Sequence, residues 1–124
     1  MAAEPTAPRR STSRRSDGAR IEALARDFLQ RQGLVPVAAN ANYRGGELDL
    51  VMRDGDTLVF VEVRLRASAR FGGAAASINA AKQARLWRSA QHFLCRYPAP
   101  PPCRFDAVCI DGADLTWLRH ILLA

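Results

Sequence analysis

The sequence predicts an α/β fold in which a mixed β-sheet is flanked by helices, in the order α-β-β-β-α-β. Two stretches repeat apolar residues at helical spacing, near Ile21–Phe28 and Ile78–Leu94. Between them, two apolar runs meet at Asp54-Gly55, a strong hairpin signal. Strands interleaved with helices bury both partners when the helices cover the sheet. At 124 residues the chain is one small domain, expected over residues 19–124 behind a basic tail at 1–18.

In that tail, Arg9, Arg10, Arg14 and Arg15 stand among Pro, Ser, Thr and Ala. No apolar face can form there, so disorder is expected. From about Ala19 to Gln32, Ile21, Leu24, Ala25 and Phe28 recur at helical spacing; Asp17 suits the start and Gly33 the stop. A short strand is expected at 34–39 and a polar loop from Asn40 to Gly46. Strands follow at 47–53 and 57–65, then a Gly/Ala-rich loop at 66–76. The second helix is expected from about Ser77 to Tyr97, with Leu86, Ala90, Phe93 and Leu94 on one face, until Pro98–Pro102 stops it. Residues 104–110 read as a strand and Asp111-Gly112 as a turn. Residues 115–122 fit a strand or a short helix.

Composition excludes some classes. The apolar fraction of 48% and charged fraction of 24% are ordinary for a globular domain. No apolar run approaches the ~18 residues of a membrane span, and the arginines near the start have no apolar stretch behind them. A cytoplasmic protein without a membrane partner is expected. Cys95, Cys103 and Cys109 are odd in number and lack metal-ligand spacing, so they read as reduced thiols. The net charge is +6, from 17 arginines, a single lysine (Lys82) and 12 acids. That balance favours a polyanionic partner, although nucleotide bias can also produce Arg-for-Lys usage.

The informative charges lie inside the hairpin. Glu47, Asp49, Glu62 and Arg64 interrupt runs that are otherwise apolar, and an unpaired buried carboxylate is costly to desolvate. With Asp54-Gly55 as a two-residue loop, Glu47 faces Glu62 and Asp49 faces Phe60. All four charged side chains then converge on one face at the open end of the hairpin. Three acids against one arginine leave that cluster negative, and a divalent cation such as Mg²⁺ resolves such a site. The plainer alternative is a solvated acidic edge, but the apolar remainder of both faces argues for a sheet covered on both sides. Lys82 falls within the apolar arc of the second helix, between Ile78 and Phe93. Its stem either covers apolar surface or brings an ammonium to the carboxylates.

These residues resemble the YraN family of small bacterial proteins. The match runs over about residues 19–121: Glu22-Ala23-Leu24-Ala25, Asn40 and Arg44, Gly46-Glu47-Leu48-Asp49-Leu50, Val59-Phe60-Val61-Glu62-Val63, Phe71-Gly72, Lys82, Arg104-Phe105-Asp106 and Trp117. The resemblance implies a restriction-endonuclease-like core of the PD-(D/E)xK nuclease superfamily. It implies Asp49 and Glu62 as ligands for Mg²⁺ (or Mn²⁺), with Glu22 joining from the first helix. The candidate catalytic set is Glu47, Asp49, Glu62, Arg64 and Lys82; Arg44, Arg66 and Arg70 are candidate nucleic-acid contacts. This chain has Glu62-Val63-Arg64 where the superfamily has Glu-x-Lys. Arginine cannot serve as a base near neutral pH, so Lys82 is the candidate replacement. The implied activity is metal-dependent phosphodiester hydrolysis in DNA, of branched or repair structures. The alternative is a nucleic-acid- or partner-binding module that keeps the fold without cleavage. Trp87 and Trp117 read as packing residues rather than base-stacking platforms.

Overall fold

The computed structural model describes residues 9–66 and 78–122, with side chains at 18–65 and 78–122. The elements are α1 (Arg9–Arg31), β1 (Val35–Tyr43), β2 (Gly46–Asp54), β3 (Thr57–Arg66), α2 (Ala80–Leu94), β4 (Cys103–Asp111) and β5 (Asp114–Leu118). The five strands form one sheet in the order β1-β2-β3-β4-β5. Only β3 and β4 are parallel, joined through α2; the other pairs are antiparallel. The predicted mixed sheet flanked by helices is present, and it is consistent with a restriction-endonuclease-like core. Of the undecided stretch 115–122, residues 115–118 belong to the edge strand β5, and 119–122 form neither strand nor helix.

α1 starts at Arg9, ten residues before the expected start at Ala19. The last proline before it is Pro8, and the helix anchored by the Ile21–Leu29 face runs back through Gly18 and Asp17 into a stretch of arginine, serine and threonine. The helix thus begins within the stretch read as a tail; residues 1–8 lie outside the described residues. The helix ends as expected at Gly33, whose φ is 101°. Leu34 N–H donates to Leu29 C=O and Gly33 N–H to Gln30 C=O, both at 3.0 Å. This is a glycine C-terminal cap, sealed by packing of Leu34 beside Leu29.

β1 extends to Tyr43, so the expected loop at Asn40–Gly46 shrinks to Arg44-Gly45. β1 is an edge strand, and there polar residues can pair on one side and meet water on the other. Both antiparallel hairpins on the far side also differ from expectation in one respect. Asp54 pairs with Thr57, and Asp111 with Asp114. The loops are therefore Gly55-Asp56 and Gly112-Ala113. Each glycine takes the first loop position, with φ 62° and 63°, where a type II′ turn requires it.

The sheet is covered on both faces. Ala25 and Leu29 of α1 pack with Leu50, Met52, Val59, Val61 and Val108. Leu86, Ala90 and Phe93 of α2 pack on Leu48, Val51, Phe60 and Phe105. Leu48 and Leu50 therefore contribute to opposite layers, although strict alternation along β2 would place them together. The break lies at Asp49. No helix among the described residues is long and apolar enough to cross a membrane.

Candidate metal centre

The break at Asp49 marks a fork in the sheet. Pairing between β2 and β3 runs from Asp54↔Thr57 to Leu50↔Val61 and ends there. Below that point β2 stays with β1 as far as Tyr43↔Gly46, and β3 stays with β4 as far as Arg66↔Asp111. The expected pairing of Glu47 with Glu62 is therefore absent, because the loop register differs and the ladder has ended. In the fork, Asp49 Oδ2 accepts from Val63 N–H at 2.9 Å. The carboxylate satisfies a backbone donor that the diverging strand leaves behind.

Glu22 of α1 approaches the same place. Glu22, Glu47 and Asp49 each offer a carboxylate oxygen, and these oxygens lie within 4.8 Å of one another. A cavity of about 170 Å³ opens beside them, lined by Gly18, Ile21, Glu22, Asp49, Val63 and Leu65. The resemblance implies Asp49, Glu62 and Glu22 as the ligand set. The oxygens of Glu22 and Asp49 cluster with that of Glu47, while Glu62 reaches Asp49 through a side-chain hydrogen bond.

Glu62 is 1% exposed. Its Oε2 lies 3.1 Å from Arg64 Nε and 3.2 Å from Lys82 Nζ. The Arg64 contact is an ion pair without hydrogen-bond alignment, since its Nε has no hydrogen-bond partner among the described residues. Lys82 arrives from the first turn of α2, which Asn79 caps by accepting from Lys82 N–H at 2.9 Å. Its inward direction on the helical wheel is thus realised as contact with a carboxylate. The expected convergence of acids with Arg64 and Lys82 is present, split between an oxygen cluster under α1 and a cation pair under α2.

Electrostatics follow from this crowding. Burial pushes the Asp49 carboxyl from 3.8 up to about 8, reinforced by the nearby Glu62 charge and opposed by the Val63 N–H. Glu62 Oε1 is buried without a hydrogen-bond partner among the described residues. A hydrogen bond with the Glu62 side chain also raises the Asp49 carboxyl. Burial raises Glu22 too, opposed by a hydrogen bond with the Asn40 side chain. Sequence reasoning placed Asn40 in a loop and gave it no such part.

The residues fit a hard divalent cation. All the clustered donors are carboxylate oxygens, the donors Mg²⁺ and Mn²⁺ prefer. The site is also short of positive charge: a carboxylate oxygen is orphaned, and a neighbouring acid retains a proton well above its ordinary range.

The other predicted residues are dispersed. Arg44 is exposed in the β1–β2 loop. Arg66 lies on β3, but its side chain, like the whole of Arg70, Phe71 and Gly72, lies outside the described residues. Arg104, Asp106 and Trp117 are away from the fork. Buried Asp106 accepts from Arg104 Nε at 3.1 Å, Trp117 Nε1 at 3.0 Å and His120 N–H at 3.1 Å, while Arg104 Nη1 reaches Asp54 at 3.0 Å. This network ties the β2–β3 turn to β4 and the end of β5. Trp117 also packs edge-on against Phe28, and Trp87 lies against Phe105, so both tryptophans make packing contacts.

A sequence profile described as "Uncharacterised protein family UPF0102" matches residues 21–110. The chain is 48% identical to a UPF0102 protein of Janthinobacterium sp. (strain Marseille) over 120 residues, covering 97% of this chain and 98% of the relative. It is 56% identical to one of Burkholderia thailandensis over 113 residues, covering 90% and 78%. It is 50% identical to one of Herminiimonas arsenicoxydans over 111 residues, covering 90% of each.

Proposed function

The chain belongs to the UPF0102 (YraN) family, and on that premise we propose that this member is a metal-dependent phosphodiesterase acting on nucleic acid. One observation carries the reading: the oxygens of Glu22, Glu47 and Asp49 lie within 4.8 Å of one another, beside the orphaned, buried Glu62 Oε1. Those three residues would hold Mg²⁺ or Mn²⁺. A bound cation would supply Lewis acidity toward a phosphodiester oxygen and toward water.

The chain's own groups divide the remaining work. Glu62 anchors two cations at the edge of the cluster. The Lys82 side chain is 20% exposed, which leaves its ammonium able to meet charge developing on a phosphate oxygen. Arg64 offers a permanent positive charge but no base. Asp49 holds a proton near neutral pH when no cation is present and releases it when one binds. DNA is the substrate class that the superfamily pattern and the net charge of +6 favour.

Calorimetric titration with Mg²⁺ and Mn²⁺ tests the site first. Wild type is expected to bind one ion, and Asp49→Asn to bind at least about tenfold more weakly. Supercoiled, single-stranded and branched DNA then test the reaction. Lys82→Ala is expected to lower cleavage by about 10²–10³-fold, while Arg64→Ala retains measurable activity. Absence of metal binding, or cleavage that survives Asp49→Ala, sinks the proposal.

A second reading, a binding module without cleavage, draws on the same cation pair. Arg64 and Lys82 both neutralise one Glu62 oxygen, which also describes a purely structural balance. DNA binding indifferent to chelator and to Asp49→Asn, with no cleavage, would select it.

A further inference from the structure

Charge is distributed unevenly along this chain. Between Val63 and Phe105 there are eight arginines and lysines and no acid. α2 lies within that stretch and carries Lys82, Arg85, Arg88 and His92 at spacings of three and four residues, which places neighbours on adjoining parts of one helix surface. Lys82 points into the fork, and Arg85, Arg88 and His92 are exposed. The row therefore leads outward from the candidate centre over roughly 15 Å, at about 1.5 Å per residue.

The β1–β2 loop lies alongside this row. A Cβ at Gly46 would sit 3.5 Å from Arg85 Cβ, and one at Gly45 would sit 3.9 Å from Arg88 Nε. Tyr43 stacks on His92 with ring centroids 5.3 Å apart and an interplanar angle of 13°. These contacts bring exposed Arg44 to the same surface. Among the described residues, Arg44, Arg85 and Arg88 have no carboxylate partner. Arginines without a carboxylate partner among the described residues, two of them set along one helix, suit a string of phosphates, which their planar forks bind well.

We propose that Arg85 and Arg88 of α2, with Arg44 of the β1–β2 loop, form a track that holds one phosphate strand of a nucleic acid and leads it to the carboxylate fork. The inference rests on the phosphodiesterase reading for the direction of the track, because Lys82 belongs both to the row and to the fork. These arginines are assigned to phosphates rather than to base edges. The hold is therefore independent of sequence.

Fluorescence anisotropy with labelled single-stranded and duplex oligonucleotides, in chelator and across a salt series, tests the track without any bound metal. Wild type is expected to bind AT-rich and GC-rich probes alike. Arg85→Gln/Arg88→Gln is expected to weaken binding at least tenfold. It should also reduce the slope of log K against log salt by about 2, near 0.9 per phosphate contact. Arg44→Gln, outside the helix, should reduce it by about 1 and stands in for the double variant if that variant loses its helical circular dichroism. Arg31→Gln/Arg53→Gln removes the same charge from exposed positions elsewhere and should leave affinity within about twofold of wild type.

The track is overturned if both α2 and loop variants keep the wild-type affinity and slope. It is equally overturned if wild type binds no oligonucleotide at low salt, or binds only vesicles containing phosphatidylserine. Loss of binding in the track variants, together with no cleavage under Mg²⁺, upholds the track and removes the catalytic reading. Cleavage that is unchanged in variants with unchanged binding removes the track alone.

Discussion

At the scale of single residues, Asn40 is the position where backbone and site meet. Its φ is 52° in the middle of β1, a left-handed conformation that costs most residues about 1–2 kcal/mol and that asparagine tolerates better than most. Its side chain hydrogen-bonds Glu22, one of the three clustered carboxylates. Glycine at 40 would relax the backbone and remove the side chain. Asn40→Gly is expected to keep or raise the melting temperature while weakening Mg²⁺ binding by about tenfold or more, the usual effect of losing a partner that orients a ligand. Unchanged affinity in calorimetry would show that Glu22 needs no such partner. The same scale explains the hairpin error. Asp-Gly signals a two-residue loop, but the dipeptide does not say whether the aspartate closes the strand or opens the loop. Here both Asp54 and Asp111 close strands, and the register moves by one residue on each side. The shift is even, so residues from Leu50 to Val61 keep their faces, and Asp49 and Glu62 still meet, through a side-chain hydrogen bond.

At the scale of elements, the close approach of α2 to β2 decides where Lys82 lies. A Cβ on Gly46 would meet Ser89 Oγ at 2.8 Å and the Arg85 carbonyl oxygen at 3.5 Å. Ser89 is buried, so its hydroxyl has little room to turn aside. Gly46→Ala is expected to destabilise the fold by about 1–3 kcal/mol, read in urea unfolding, and Ser89→Ala in the same chain should recover most of the loss. Additive losses would show that the Ser89 hydroxyl is not the source of the loss. Lys82 depends on this packing and on the Asn79 cap together. The periodicity of α2 was legible because Leu86, Ala90 and Phe93 bury a true helical stripe. Its ends were less so, since the helix stops at Leu94, short of the prolines expected to end it.

At the scale of the whole molecule, folding confines like charges in the fork, and stability should record it. Asp49 is raised from 3.8 to about 8 in the folded protein, so the folded state holds a proton that the unfolded chain has released. The contribution of this group is full below about pH 4 and is lost as pH rises through about 8. Metal-free wild type is therefore expected to melt at progressively lower temperature across this window, and Asp49→Asn should flatten that trend. Mg²⁺ should restore wild type most at the alkaline end, where no proton must be displaced. A melting temperature that is independent of pH in both proteins would contradict the buried, proton-holding site. The sequence by itself determined the layers, the hairpin, the charged face and the inward lysine. All of these follow from local periodicity and from the cost of burying charge. Tertiary structure alone decided that the sheet forks after Leu50, that the Glu47 oxygen lies with those of Glu22 and Asp49, and that β1 runs through Asn40, whose side chain meets Glu22. Those outcomes depend on where neighbouring strands stop pairing and on which helix packs at the gap, and no periodicity within one strand records where its neighbour departs.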